Sequence, residues 1–285
     1  RGFDSYCRHQ RIPLTDKMST QLFIGTAGWA VPAKHRANFP AEGSVLERYA
    51  ACFNAAEINS SFYRPHKPET YARWAASVPR DFRFSVKMPK AITHEARLCK
   101  CNVQLESFIR EVNGLGEKLG AILIQLPPKF DYDEGIASEF FGELRALYRG
   151  AVVLEPRHAS WFEPSVDVLL DRVEIARVAA DPAKVPAASE PGGWAGLRYY
   201  RLHGSPRAYF SSYDEVHLSQ LAEQIAADPT PGWVIFDNTG SGAAVDNGLA
   251  LSARLGRAPC ARLRVEPTTR RAIARPRRMP RARAA

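Results

Sequence analysis

No apolar run in this 285-residue chain approaches the roughly 20 residues that a membrane-spanning helix needs, so no helical anchor is expected. Residues 1–20 are polar and hold no apolar stretch of the kind found in secretory signals, and the expected location is the cytoplasm. Met18 directly precedes the first apolar run and is the expected initiator. Cysteine is scarce. Cys7, Cys52, Cys99, Cys101 and Cys260 are odd in number and unpatterned in spacing, which points to a reducing compartment rather than a disulfide framework. Cys99-Lys100-Cys101 lacks the spacing of a zinc knuckle and reads as ordinary thiols. Three catalytic or nucleotide signatures are also missing. Gly25-Thr26-Ala27-Gly28 is not a dinucleotide fingerprint, no P-loop occurs, and no G-x-S-x-G elbow presents a serine nucleophile.

Basic charge is present but badly distributed for a nucleic-acid reader. The formal net charge is +9, yet residues 261–285 alone carry +8 and residues 1–17 carry +2, leaving the intervening body at −1. The Arg/Pro-rich segment 257–285 and the polar segment 1–20 contain too little apolar surface to fold, and both are expected to be disordered. Any nucleic-acid binding is expected through the basic tail alone, by counterion release.

Between those ends, apolar strand-like runs alternate with helical patterns, and each run ends in polar residues. Leu22-Phe23-Ile24 leads into Gly25-Thr26, Ala55-Ala56-Glu57-Ile58 into Asn59, and Phe84-Ser85-Val86 into Lys87. Ile122-Leu123-Ile124 leads into Gln125, Val152-Val153-Leu154 into Glu155-Pro156-Arg157-His158, and Ile175 to Ala180 into Asp181. Tyr199-Tyr200 leads into Arg201-Leu202-His203, and Val234-Ile235-Phe236 into Asp237-Asn238. Helices are predicted at 45–53 behind a Ser44/Glu47 capping box, from Pro68 through Trp74, at 104–119, 133–148, 164–170, 215–227 and 242–255. Strand and helix alternation predicts a parallel sheet with helices outside. The fold class that follows is α/β, a single TIM-type (β/α)8 barrel over residues 21–256, with its active face at the strand C-termini.

The motifs along the chain resemble those of the DUF72 (YecE-like) family over about residues 22–250. They include Ile24-Gly25-Thr26-Ala27-Gly28-Trp29, Glu57-Ile58-Asn59-Ser60-Ser61-Phe62-Tyr63, Leu123-Ile124-Gln125-Leu126-Pro127-Pro128, Leu154-Glu155-Pro156-Arg157-His158, Tyr200-Arg201-Leu202-His203-Gly204 and Phe236-Asp237-Asn238-Thr239. The resemblance implies a TIM barrel. It implies no reaction, because the family's link to sugar isomerases rests on fold-level likeness. Many members end the eighth strand with two asparagines, where this chain has Asp237-Asn238.

Strand ends in a barrel converge, so their side chains are the candidate machinery. Glu155 and His203 are the expected acid/base pair, joined by Asp237. Glu155, Asp181, His203 and Asp237 together are the expected ligands if a divalent metal (Mg, Mn or Zn) takes part. Lys87, Arg157, His158, Arg201 and Arg207 are expected to recognise an anionic group, with Arg201 as the leading anion contact. Asn59 and the aromatics Tyr63, Trp161 and Tyr213 are expected to line the substrate. These residues point to an enzyme of isomerase or hydrolase type acting on a small anionic, polyhydroxylated or phosphorylated molecule. The alternatives are a nucleic-acid processing or binding protein and a non-catalytic small-ligand barrel.

Overall fold

The computed structural model describes residues 21–257 and residue 260. The expectations for residues 1–20 and for the basic tail lie outside the described residues. The strands are β1 (Leu22–Ala27), β2 (Ala55–Ile58), β3 (Arg83–Lys87), β4 (Leu119–Gln125), β5 (Val152–Glu155), β6 (Ile175–Arg177), β7 (Ala179–Asp181), β8 (Gly192–Gly193), β9 (Arg198–Leu202) and β10 (Gly232–Phe236). They form one sheet in the order β7-β9-β10-β1-β2-β3-β4-β5-β6-β8. All pairings are parallel except that of β6 with the short β8. The expected barrel is therefore present, with one refinement. Its sixth stave is broken at Val178: the first half, β6, bonds to β5, and the second half, β7, bonds to β9.

The principal outer helices are α1 (Val45–Ala50), α2 (Ser60–Tyr63), α3 (Pro68–Ala76), α4 (Asn102–Val112), α5 (Glu134–Leu147), α6 (Pro164–Arg172), α7 (Glu215–Ala227) and α8 (Ala243–Arg254). The capping box forms: Ser44 Oγ accepts from the Glu47 N–H at 3.3 Å while Glu47 accepts from the Ser44 N–H at 2.7 Å. Asp133 and Asp214 accept from Ile136 and His217 to start α5 and α7. The predicted 104–119 helix is shorter. It stops at Val112, and a 3-10 turn over Asn113–Lys118 contains Gly116 at φ +53°, outside helical space.

Alternation along each strand divides the core into layers. Phe84, Val86, Ile122, Ile124, Val152 and Leu154 face the helices. Phe23, Ala121, Leu123, Val153, Tyr199, Trp233 and Ile235 fill the barrel interior. Tyr199 stacks on Trp233 with ring centroids 5.8 Å apart, and Phe23 lies 4.6 Å from the same indole. These rings close the barrel floor, so polar groups are confined to the C-terminal mouth.

The β1–β2 seam is unusually close. Tyr49 accepts from the Thr26 N–H at 2.8 Å and donates to the Ala55 carbonyl at 2.9 Å. A Cβ on Gly25 would stand 2.1 Å from that carbonyl oxygen, an overlap relieved only by moving backbone. Gly25→Ala is expected to destabilise the chain by about 1–3 kcal/mol, read as a lower denaturant midpoint at unchanged m. An unchanged midpoint would show that the seam can open freely.

One cysteine expectation is corrected. Cys52, just after α1, forms a disulfide with Cys260 across 208 residues of sequence. Spacing gave no hint of it, because the pairing depends on the chain after α8 returning beside α1.

Candidate active site

Strand parity sets which strand-end residues enter the mouth. Tyr199, Arg201 and His203 point inward from β9, Glu57 from β2, Glu155 from β5 and Asp237 from the end of β10. Arg201 is fully buried at their centre. Its Nε donates to Glu57 at 3.0 Å, and its Nη2 donates to Glu57 at 2.7 Å and to Asp237 at 3.0 Å. Its Nη1 donates to Glu155. One planar guanidinium thus joins carboxylates from three strands, a geometry that arginine's rigid fork permits and lysine's point charge does not. Tyr199 donates to Glu57 at 3.0 Å and lies 2.8 Å from Ser85 Oγ, extending the network toward the floor.

His203 completes the ring. Its Nδ1 lies 3.0 Å from Asp237 and its Nε2 lies 3.2 Å from Glu155. Burial raises the Glu155 carboxyl, but Arg201, His203 and Arg157 outweigh it and hold the group well below the usual carboxylate range. Burial likewise opposes ionisation of Asp237, and Arg201 and His203 reverse the balance. Two ionised acceptors require both ring nitrogens of His203 to donate, so the ring is an imidazolium. Its pKa is raised accordingly: burial lowers it, and the two carboxylates prevail.

This arrangement settles the competition at Glu155 between desolvation and neighbouring cations, and it changes the expected roles. Glu155 and His203 hold each other in their charged forms, and both ring nitrogens of His203 are engaged by carboxylates. Arg201 has every nitrogen engaged by an acid and no exposure, so it is not the anion contact. Glu155, Asp181, His203 and Asp237 do not fit a divalent metal. The Arg201 guanidinium occupies the place a metal cation would take between the acids, and no group of three metal-ligating side chains is assembled among the described residues. Asp181 also faces the wrong way. It pairs in register with Leu202, which belongs to the outer core, whereas Ala180 pairs with inward-facing Arg201.

Of the expected binding residues, Arg157 and Lys87 belong to the mouth. Arg157 donates to Glu155 at 3.0 and 3.2 Å and borders a cavity of about 250 Å³ that it shares with Glu155, Ala180, His203, Lys184 and Tyr209. Lys87 is half-buried with Nζ 4.2 Å from the centroid of the Phe62 ring. Asn59 is half-buried directly after β2, with Oδ1 buried and unpartnered. The others are placed differently. Trp161 is a core residue, 1% exposed, donating to the Phe130 carbonyl at 2.8 Å. Tyr213 is buried and ties loops together, accepting from the Gly204 N–H and donating to the Asp181 carbonyl. His158 is held by Asp131 and Ser160 on the loop after β5. Arg207 is exposed and lies over Phe210, and Tyr63 is 74% exposed against Phe62.

Three contributors were undervalued by motif reading. Glu57 is the bidentate partner of Arg201. His94 lies against Phe62 with its pKa lowered by burial and by Lys87 and Arg157. Tyr209 packs 5.8 Å from the His203 ring at the cavity edge. The strand-end position of Glu57 was visible in sequence, but the contacts of His94 and Tyr209 depend on how loops fold back.

Residues 23–271 match the model of the family described as "Protein of unknown function DUF72". The chain belongs to the DUF72 family. Among DUF72-related sequences, it is 31% identical over 173 residues to the UPF0759 protein YecE of Escherichia coli K12, covering 59% of this chain and 61% of YecE. It is 26% identical over 152 residues to YunF of Bacillus subtilis 168, covering 50% of this chain and 53% of YunF. The matched stretch thus spans less than two thirds of each relative. A crystal structure of a DUF72 protein from Enterococcus faecalis V583 aligns with a TM-score of 0.70 at 20% identity, covering 84% of this chain and 96% of that one. A DUF72 protein from Thermotoga maritima MSB8 gives 0.65 at 23% identity, covering 83% of this chain and 100% of that one. These likenesses support the barrel fold. Among the described residues, no helix is long and apolar enough to cross a membrane.

Proposed function

We propose that this DUF72 chain is an enzyme that binds a small anionic molecule, a phosphorylated sugar or sugar acid, at the C-terminal mouth of its barrel. One observation carries the reading. The three central acids are engaged by Arg201, His203 and Arg157, while Lys87 reaches the same mouth without an ion-pair partner among the described residues. Arg157 at the cavity edge and Lys87 then supply positive charge that a carboxylate or phosphate would complement. Acid/base work falls to groups outside the Glu155–His203 pair, because both ring nitrogens of His203 are already taken by carboxylates. His94, packed on Phe62 as Lys87 is, has no carboxylate ion-pair partner among the described residues, and burial and its cationic neighbours favour its neutral, proton-accepting form.

Calorimetric titration with ribose 5-phosphate, gluconate and unphosphorylated ribose tests the reading. The two anions are expected to bind, and Arg157→Met is expected to weaken them by about tenfold or more, consistent with loss of a charge-assisted contact. Equal affinity for ribose and its phosphate, or indifference to Arg157→Met in protein that still melts cooperatively, would overturn it.

A further inference from the structure

The inward side of β3 carries Ser85 and then Lys87, two residues nearer the mouth. Ser85 is occupied by Tyr199, whereas the Lys87 ammonium has an aromatic face beneath it and no carboxylate within ion-pair distance among the described residues. An amine placed in this way is short of the partners that normally keep a lysine protonated. Burial is the larger cause and the buried Arg201 guanidinium the next, and together they bring its pKa down to about 8 despite the nearby acids. At pH 7.5 such a lysine holds roughly 200 times more uncharged amine than one at the ordinary 10.5.

We propose that Lys87 is a nucleophilic amine that condenses with the carbonyl carbon of a small anionic aldehyde or 2-oxo acid bound at the mouth. This rests on the anion-site reading above and names its substrate class. The Lys87 Nζ lone pair forms a C–N bond while the carbonyl π pair moves to oxygen. Both amine protons pass in turn to that oxygen, the C–O bond breaks as the nitrogen lone pair forms the C=N bond, and water leaves a neutral imine that takes up a proton from solvent. Nothing is oxidised or reduced, and hydrolysis runs the same steps backwards. The protonated imine withdraws electrons from the adjacent carbon, so proton transfer or carbon–carbon cleavage beside the original carbonyl becomes accessible.

His94 is suited to carry the proton. The Thr93 hydroxyl donates its proton to the Pro89 carbonyl at 3.2 Å, so at 2.9 Å it can only accept from His94 Nδ1. That tautomer leaves Nε2 as an acceptor. His94 and the Lys87 amine share the Phe62 ring, the imidazole with its centroid 5.0 Å from that of the ring and Nζ 4.2 Å from it, and both Lys87 and Arg157 lower the His94 pKa.

The test is reductive trapping. Intact protein is incubated with glyoxylate or with glyceraldehyde 3-phosphate in sodium cyanoborohydride, then mapped by peptide mass spectrometry. A dominant secondary amine at Lys87 is expected, with at least tenfold less label at exposed Lys34, Lys90 and Lys129. The wild-type yield is expected to rise with a midpoint near pH 8, and Lys87→Arg is expected to abolish the label at that position. Label spread evenly over surface lysines, or a midpoint near 10, would overturn the proposal; the wild-type pH profile decides this even where the variant folds poorly. Calorimetry with ribose 5-phosphate separates the two readings. Arg157-dependent binding without a Lys87 adduct removes the imine and leaves the anion site. Absence of both removes both.

Discussion

Arg201→Met is expected to cost the chain about 3–5 kcal/mol, a large part of the roughly 5–15 kcal/mol that holds a domain together. Methionine matches much of the arginine stem but leaves Glu57, Glu155 and Asp237 around a site with no cation at its centre. These side chains are almost fully buried, so water cannot replace the four hydrogen bonds that Arg201 donates. Neutralising one acid should recover part of the loss: Arg201→Met with Glu155→Gln is expected to be more stable than Arg201→Met alone. Urea unfolding followed by near-UV circular dichroism reads both quantities. A loss below about 1 kcal/mol would place the network in the class of solvent-screened surface pairs, and the reading of a dry ionic hub would be wrong.

The second large effect is His203→Leu, expected to cost about 2–3 kcal/mol through two lost hydrogen bonds to charged acceptors. Its pH dependence is more diagnostic than its size. A histidine whose pKa is raised on folding contributes its full stability below its unfolded value near 6.5, and that contribution fades as pH rises through the folded value. Glu155 and Asp237 have pKa values lowered on folding. Their contribution is complete above unfolded values near 4.5 and 3.8 and fades as pH falls through the folded ones. The stability gap between wild type and His203→Leu should therefore be widest at about pH 4.5–6.5 and shrink toward alkaline pH. Unfolding free energies at pH 5.5 and pH 10 test the sign. A gap that grows with pH would mean that His203 is neutral in the folded chain.

Much of this architecture was legible in sequence, because barrel strands advertise themselves by apolar runs and polar ends. Of the strand-end residues expected to converge, Glu155, His203 and Asp237 meet around Arg201, whereas Asp181 does not. What the pattern could not supply was distance. Whether Arg201 meets a substrate or three acids depends on side-chain reach across the barrel, and the neighbours of each residue in sequence carry no trace of it. Parity was also hidden in the sixth strand. Ile175 to Ala180 is apolar except for Arg177, so nothing distinguished Asp181 facing out from Ala180 facing in. Trp161 and Tyr213 follow strands, as lid aromatics do, but Trp161 is buried against Phe130 and Tyr132, and Tyr213 against Phe236 and the Gly204 backbone. The capping motifs at Ser44, Asp133 and Asp214 were readable because they act within one turn of chain.

The broken sixth stave makes the mouth lopsided. Strands on either side contribute Glu155 and Arg201, long side chains that reach the axis, while β7 contributes only the methyl group of Ala180. The empty volume of the site thus opens beside a short side chain that takes no part in the ionic hub. In an evolving lineage, that position is a dial. Serine or valine in place of Ala180 would redraw the space offered to a guest without touching the charges that hold the barrel's mouth together.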